Sequence, residues 1–287
     1  MKMTTTSTSS TKPILIIGGT GKTGRRVAER LTAQGVPVRI GSRSGTPSFD
    51  WEDRSTWLPA LDGVKAAYIT YYPDIAISGA TETVEALTRL AVENGVKRLI
   101  LLSGRGEHEA QRAEKAFQAS GADWTIVRAS WFAQNFSENV MLASILAGEL
   151  ALPVGAVGEP FIDANDIADV VVAALTDDRH IGQLYEVTGP RLLTFADAVA
   201  EIASATKRDI RYVTITPEQF SQGLAQEQLP PEIVGLLNDL FTQVLDGRNE
   251  YLSDGVQRAL GRAPRDFSDY VQETAATGVW SGTVEGQ

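Results

Sequence analysis

The sequence contains no cysteine and two histidines, His108 and His180. Disulfides, thiolate nucleophiles and cysteine-based metal sites are therefore excluded, and two imidazoles do not make a zinc site, so no bound metal is expected. No apolar run is long enough to span a bilayer, and the first residues lack the apolar core of a signal peptide. We therefore expect a cytoplasmic protein.

Positive charge is also scarce, because 26 basic residues stand against 36 acidic ones and the net charge is -10. This balance argues against nucleic acid and anionic membranes as partners. The remaining expectation is a small-molecule substrate, and the composition leaves a homodimer open. With 287 residues, of which 43% are hydrophobic, the chain is long enough for one large domain with a smaller lobe.

What the chain has, near its start, is an apolar strand followed by a glycine-rich turn. Ile14–Ile17 are four apolar residues, and the next seven read Gly-Gly-Thr-Gly-Lys-Thr-Gly. Apolar residues then recur at helical spacing from Val27 to Leu31. Glycines at 18, 21 and 24 let a backbone approach a phosphate, and the amides of the first helical turn point towards it. The pattern predicts a dinucleotide-binding turn.

Two other interpretations of this turn are weaker. Gly21-Lys22-Thr23 is similar to the end of a P-loop, but that motif requires glycine five residues before Gly21, where Ile16 stands. A merely structural turn is also conceivable for an isolated glycine motif. This turn opens the first strand–helix unit of an alternating pattern, which is where nucleotides bind.

Apolar strands alternate with helical patterns through the first half of the chain. Strands are predicted at 14–17, 36–40, 49–51, 66–70, 98–102 and 124–127. This alternation predicts an α/β fold, a doubly wound parallel sheet of the Rossmann type. A long helix is expected after residues 128–136, and strands are predicted at 183–188 and 210–215. We divide the chain into a disordered tail (1–12), an NADP-binding domain (13–155) and a smaller α+β substrate-side lobe (156–287) that is partly interwoven with it.

The end of the second strand carries an arginine where an NAD site usually carries an acid. Arg43 stands between Ser42 and Ser44, about 20 residues beyond the glycine turn. A guanidinium fits the 2′-phosphate of NADP, and a carboxylate would repel it. The sequence therefore favours NADP over NAD, with a solvated loop arginine as the competing interpretation.

Aromatic and amide side chains follow two further strands. Tyr71 and Tyr72 come directly after the strand at 66–70, where ligands sit in open sheets. A second group follows the strand at 124–127 and suits a substrate pocket with a few placed polar groups. Its members are Trp131, Phe132, Asn135 and Phe136.

Taken together, these motifs resemble the NmrA-like branch of the atypical short-chain dehydrogenases/reductases, from about residue 13 to nearly the end of the chain. The carriers of the resemblance are the runs at 18–24, 41–43, 124–128, 135–136, 163–168 and 185–190. The resemblance implies an NADP-preferring Rossmann domain whose cleft lies against a small C-terminal lobe. The family contains quinone and dye reductases, and also regulators that bind the dinucleotide without turning it over.

The resemblance also implies which residues contact the cofactor. The glycine loop corresponds to Gly18, Thr20, Gly21, Lys22, Thr23 and Gly24. Ser42 and Arg43 correspond to the 2′-phosphate site, and Asp50 and Trp51 to the adenine side. Thr70, Tyr71 and Ser103 would run beside the ribose and the nicotinamide.

One departure from ordinary short-chain dehydrogenases concerns the proton donor. Those enzymes use Tyr-x-x-x-Lys, and no tyrosine here has a lysine four residues on. His108 and Tyr71 are the remaining candidates, although a solvated histidine at a helix start is a common alternative. Hydride transfer chiefly requires orientation of donor and acceptor. We therefore predict an NADPH-dependent oxidoreductase for a small apolar carbonyl, enone or quinone-like acceptor, with a non-catalytic NADP(H)-sensing regulator of a protein partner as the alternative.

Overall fold

A parallel sheet forms the centre of the computed structural model, which describes residues 12–138, 141–227 and 229–281. Eight strands occur in this part of the chain: β1 (Ile14–Ile17), β2 (Val38–Gly41), β3 (Ala66–Ile69), β4 (Arg98–Gly104), β5 (Asp123–Ala129), β6 (Glu149–Leu152), β7 (Gln183–Val187) and β8 (Arg211–Thr214). The main sheet has the order β2-β1-β3-β4-β5-β7 with parallel neighbours, and β6 pairs with β8 separately. The predicted doubly wound fold is confirmed.

The helices of the described residues connect these strands and cover the sheet. They are α1 (Lys22–Ala33), α2 (Trp57–Leu61), α3 (Ala80–Glu93), α4 (His108–Gln118), α5 (Leu142–Ala147), α6 (Ala164–Thr176), α7 (Phe195–Thr206), α8 (Pro217–Gln226), α9 (Pro231–Asp239), α10 (Gly255–Leu260) and α11 (Phe267–Ala276). Short 3-10 turns lie at Arg54–Thr56, Ala133–Phe136 and Asp178–His180, and a π-helical turn, Leu240–Val244, continues α9. None of these described helices has the length and apolar character needed to cross a bilayer.

The side chains of β1 alternate between two core layers. Ile14 and Ile16 pack in the layer that contains residues of α1 and α6. Leu15 and Ile17 pack in the layer that contains residues of α2, α3 and α4. All four side chains are buried, and each contributes about 1.5–3 kcal/mol through removal from water. Because helices cover both faces, the ends of the strands are where a ligand can reach the sheet.

A third core layer is largely aromatic and lies among β6, β8, α7 and α11. It contains Phe136, Phe161, Phe195 and Phe267, whose ring centroids lie 5.1–6.0 Å apart in the contacting pairs. The division of the chain at residue 155 stays a prediction. Of the tail predicted for residues 1–12, all but Lys12 lie outside the described residues.

The strand predicted at 49–51 is wrong, and the sixth strand of the main sheet is β7 instead. The segment is held by side chains: Trp57 donates from Nε1 to the carbonyl oxygen of Asp50 at 2.8 Å. The carboxylate of Asp50 in turn accepts the amide of Glu52 at 3.1 Å. These bonds make a turn, and Phe49 is buried against Trp57 and not in a strand.

The long helix expected after residues 128–136 is also wrong. The chain instead forms the 3-10 turn Ala133–Phe136 and, further on, the short α5, which ends at Gly148 with φ at +87°. The amide of Ser130 donates to Val187 O at 3.1 Å, and that of Ala133 donates to Ile162 O at 2.8 Å. Pairing with these distant residues replaces helical hydrogen bonds.

Candidate functional site

The glycine turn between β1 and α1 is folded too tightly for side chains at two positions. A Cβ atom on Gly24 would lie 2.2 Å from the carbonyl oxygen of Gly18. Gly18 has a φ of +71°, and a Cβ there would lie 2.1 Å from Oγ1 of Thr70. The amides of residues 22–24 open α1 and have no carbonyl one helical turn earlier to accept them. The turn therefore forms a cradle whose shape and amides fit a phosphate.

Two hydroxyl groups fasten this turn to β3 and its end. Thr70 donates from Oγ1 to the carbonyl oxygen of Ile17 at 3.0 Å. Tyr68 donates from its phenol to Oγ1 of Thr23 at 2.9 Å, and burial raises the pKa of Tyr68 well above its ordinary value. The Thr23 side chain is thus used inside the fold, which leaves its main-chain amide for a phosphate. Thr20 is exposed at the turn.

Arg43 is exposed directly after β2, beside Ser42. Within the described part of the chain its guanidinium forms neither an ion pair nor a hydrogen bond. Arg39, on β2 itself, is occupied, because it donates to the carbonyl oxygen of Ala60 at 2.8 Å. An unpaired guanidinium at this place fits a 2′-phosphate.

Trp51 belongs to a cluster of aromatic rings next to the end of β3. Its ring centroid lies 4.7 Å from that of Tyr71 and 5.1 Å from that of Phe49. Its Nε1 donates to the carbonyl oxygen of Thr70 at 3.2 Å. The ring is half-buried and so offers a flat apolar surface that suits stacking with a purine. Asp50, which accepts a main-chain amide, is next to it in the chain.

A cavity of about 390 Å³ opens at the carboxyl ends of β3, β4 and β5. Lys22 of the glycine turn forms part of its wall, so the phosphate cradle and the cavity adjoin. Burial lowers the pKa of Lys22, while the carboxylate of Glu138 opposes this shift. Another part of the wall is apolar and comes from α9 and the turn that continues it, with Ile233, Leu236, Leu237, Leu240 and Phe241. Such a cavity suits a small, flat organic molecule.

Seven of the residues predicted to bind the cofactor or the substrate line this cavity, but three of those predicted for the substrate or for proton donation do not. Those in the wall are Lys22, Thr70, Tyr71, Ser103, Trp131, Phe132 and Asn135. Tyr72 is 73% exposed, and Phe136 is fully buried in the aromatic core. His108 is the exposed first residue of α4 and is not part of the wall. The geometry therefore gives no support to His108 as a proton donor.

Arg105, which none of the sequence motifs indicated, lies in the wall and is 3% exposed. Its Nε donates to Oε1 of Glu186 at 3.1 Å, and its Nη2 donates to the carbonyl oxygen of Tyr251 at 3.1 Å. Glu186 also accepts from Arg128 at 3.2 Å, and Arg128 binds Glu114 at 2.9 Å. This alternating chain of charges fixes Arg105. Arg105 directly follows β4, and ligands bind at the carboxyl ends of parallel strands, so this position could have been predicted from the sequence.

Three acids in the wall, Asp74, Glu107 and Glu159, were also missed. Burial raises the pKa of Glu159 to about 7, although the amide of Trp131 and the charge of Arg105 act in the opposite direction. Burial and repulsion from Asp74 raise the pKa of Glu107 well above its ordinary value, and burial raises the pKa of Asp74. Near neutral pH Glu159 therefore still holds its proton in part of the molecules and can then donate a hydrogen bond.

Unpartnered polar atoms concentrate in this wall. Among the described residues, five buried side-chain nitrogen or oxygen atoms have no hydrogen-bond partner. Four of them belong to residues of the cavity: Ser103 Oγ, Arg105 Nη1, Glu107 Oε2 and Glu159 Oε2. Buried polar groups are normally satisfied, and exceptions require an explanation. A ligand with polar atoms in this cavity would satisfy them.

The fold and the site together define a dinucleotide-binding protein of the Rossmann type with a ligand cavity beside the phosphate cradle. A family model described as NAD(P)H-binding matches residues 18–178. The chain is 31% identical to an uncharacterized oxidoreductase, YesF, of Bacillus subtilis (strain 168), across 94% of this chain and 98% of that protein. It is 30% identical to an NAD(P)H azoreductase of Xenophilus azovorans, across 92% and 98%.

The structure is also similar to that of a triphenylmethane reductase of Citrobacter sp. in complex with NADP(H). The TM-score is 0.74 at 17% identity, over 92% of this chain and 99% of that one. The chain belongs to the NAD(P)H-binding family and is an oxidoreductase.

Proposed function

We propose that the protein is an NADPH-dependent reductase that delivers hydride to a small, flat, largely apolar acceptor such as a quinone or an enone. The observation that carries the proposal is that the cavity adjoins the phosphate cradle through Lys22 and that four of its lining residues have unpartnered polar atoms. Two similar proteins named as an azoreductase and a triphenylmethane reductase support a conjugated acceptor.

The residues present fit NADP(H). The amides of residues 22–24 would hold the pyrophosphate, and Arg43 would pair with the 2′-phosphate. Trp51 and Asp50 would flank the adenine. Thr70, Tyr71 and Ser103 mark a path from there into the cavity, and Lys22 and Tyr71 belong to both regions. When bound and reduced, the dinucleotide supplies hydride from its nicotinamide ring.

The cavity residues would divide between orientation and charge stabilisation. Trp131, Phe132 and Phe241 bury the flat faces of the acceptor and exclude water from it. Ser103 Oγ and Arg105 Nη1 have unused donors that would hold the acceptor oxygen, where negative charge develops during reduction. This arrangement accounts for reduction of conjugated acceptors without the Tyr-x-x-x-Lys pair.

The test is binding of NADPH and NADH to the purified protein, followed by absorbance at the nicotinamide band after addition of quinones, enones and saturated ketones. We expect NADPH to bind more tightly than NADH, because Arg43 has no competing acid. We also expect oxidation by quinones and enones. Replacement of Ser103 by alanine should slow this oxidation by a larger factor than it weakens NADPH binding.

The same experiment distinguishes the second candidate, a dinucleotide sensor. Tight NADPH binding with no oxidation by any member of the panel would rule out the proposed reductase. It would favour a regulator whose affinity for a protein partner changes with NADP(H) occupancy.

A further inference from the structure

Glu159 is held at a defined place in the cavity wall. Its amide donates to the carbonyl oxygen of Leu193 at 2.8 Å, and the amide of Leu193 donates back at 3.0 Å. The residue is 0% exposed, so its side chain has little freedom to move. Pro160 follows it in the chain and restricts the backbone further. The position is therefore fixed by the fold, far from any chain end.

The two carboxyl oxygens of Glu159 have different surroundings. Oε1 accepts the amide of Trp131 at 3.2 Å, which orients the group. Oε2 has no partner among the described residues, although it is buried. An unpaired buried carboxyl oxygen is unfavourable unless something outside the chain completes it. An oxygen atom of a bound substrate would do so.

The charged groups around Glu159 favour proton donation from it. Arg105 faces it from the loop after β4, and its positive charge stabilises the carboxylate that remains after a proton leaves. Among the described residues, the other titratable groups of the cavity wall are Lys22, Tyr71, Asp74 and Glu107. Glu107 is the weaker acid, because burial and repulsion from Asp74 and Glu114 oppose its ionisation and raise its pKa well above the ordinary value.

We propose that Glu159 is a catalytic acid whose Oε2 gives a proton to the substrate oxygen that becomes negative on hydride transfer. This role rests on the proposed function. Burial keeps this proton in place near neutral pH, and Arg105 and the Trp131 amide keep the group from being too weak an acid.

The step balances for an enone. Hydride taken from the reduced dinucleotide forms a C–H bond at the β-carbon of the substrate. The electron pair of the C=C bond shifts to make the enolate, whose oxygen takes the proton from Glu159 as the carboxyl O–H bond breaks. The enol product leaves and isomerises to the saturated ketone, the oxidised dinucleotide leaves, and water returns one proton to the carboxylate.

The main experiment compares Glu159→Gln with the wild type on two acceptors. Glutamine keeps the size of the side chain and an oxygen for the Trp131 amide, but it has no acidic proton. Enone reduction should fall by about 10²- to 10⁴-fold in kcat, the usual contribution of a general acid. A triarylmethane cation takes hydride at carbon and needs no proton, so its reduction should change by less than about threefold. Glu250→Gln is the matched control, because this exposed carboxylate bonds the neighbouring Gly158 amide and lies outside the cavity wall.

A proportional loss on both acceptors would mean that the variant merely disturbs the cavity, and it would overturn the proposal. Absence of activity in the wild type with every acceptor would instead sink the proposed function. An independent readout then decides on Glu159: infrared difference spectra of the protein without any ligand, between about pH 5 and about pH 9. We expect a protonated-carboxyl band that disappears near neutral pH in the wild type and is missing in Glu159→Gln. A wild-type spectrum without that band would refute the inference.

Discussion

Replacing Glu159 with glutamine should stabilise the protein at neutral and alkaline pH. The carboxyl group is fully buried, and burial raises its pKa from an ordinary 4.5 to about 7. Between these two values the unfolded chain has released the proton while the folded protein still holds it, so the free energy of unfolding falls as pH rises. At about 1.36 kcal/mol per pH unit over roughly 2.5 units, the loss is about 3 kcal/mol.

The difference between variant and wild type should therefore depend on pH in a defined way. Glutamine does not ionise in either state, and it preserves the acceptor for the Trp131 amide. We expect the two proteins to be about equally stable near pH 4.5, and the variant to gain about 3 kcal/mol by about pH 7.5, with no further gain above that. Urea unfolding followed by tryptophan fluorescence measures this difference, with the exposed Glu250→Gln variant as the matched control. A destabilisation of Glu159→Gln that is the same at every pH would refute the reasoning.

Three further predictions concern the cofactor and substrate regions. Arg43→Ala should weaken NADPH binding by about 10- to 150-fold, which corresponds to a charge-assisted hydrogen bond of about 1.5–3 kcal/mol, and should leave NADH binding unchanged. Titration calorimetry with both dinucleotides measures the two affinities. Equal losses would mean that Arg43 does not bind the 2′-phosphate. Gly24→Ala should abolish measurable binding of both dinucleotides, because its Cβ would meet only backbone atoms, at 2.2–2.9 Å, whereas Gly21→Ala should be milder with a closest approach of 3.2 Å. Phe241→Leu should raise KM for aromatic acceptors by about 2- to 10-fold, because it removes the ring whose centroid lies 4.9 Å from that of Trp131. The NADPH dissociation constant should not change. An unchanged KM in steady-state kinetics would contradict this prediction.

The local part of the site could be predicted from the sequence. β1, the glycine turn and α1 are contiguous in the chain, and the glycine spacing determines their geometry directly. Tyr71 was predicted because it follows a strand whose carboxyl end lies at the edge of the sheet where ligands sit, whereas Ser103 was predicted from the family resemblance. Arg105 follows the same strand as Ser103, so the rule could have found it too.

The segment after β5 shows where sequence patterns lose their information. Trp131 and Phe132 line the cavity, whereas Phe136, a few residues on, points into the aromatic core. In a regular helix or strand the spacing would tell these faces apart. Here the backbone is a short irregular stretch whose amides pair with distant carbonyls, and so no period relates position to direction. The place of β7 in the sheet could not be predicted for a similar reason. The strand itself was predicted, but its pairing with β5 depends on the crossover through α6, which no local pattern records.

No sequence motif indicated Glu159, yet its buried carboxyl group explains how a reductase can work without the Tyr-x-x-x-Lys pair. In that pair a lysine and the cofactor lower the pKa of a tyrosine, whose ordinary value is about 10, towards neutrality. Here burial raises the pKa of a glutamic acid from 4.5 to about 7. The pKa of the tyrosine is lowered towards neutrality and that of the glutamic acid is raised towards it. Each group can therefore hold and release a proton near neutral pH. Loss of the tyrosine–lysine pair therefore does not imply loss of acid catalysis, provided that the fold buries a carboxyl group beside the substrate and places a guanidinium such as Arg105 near it.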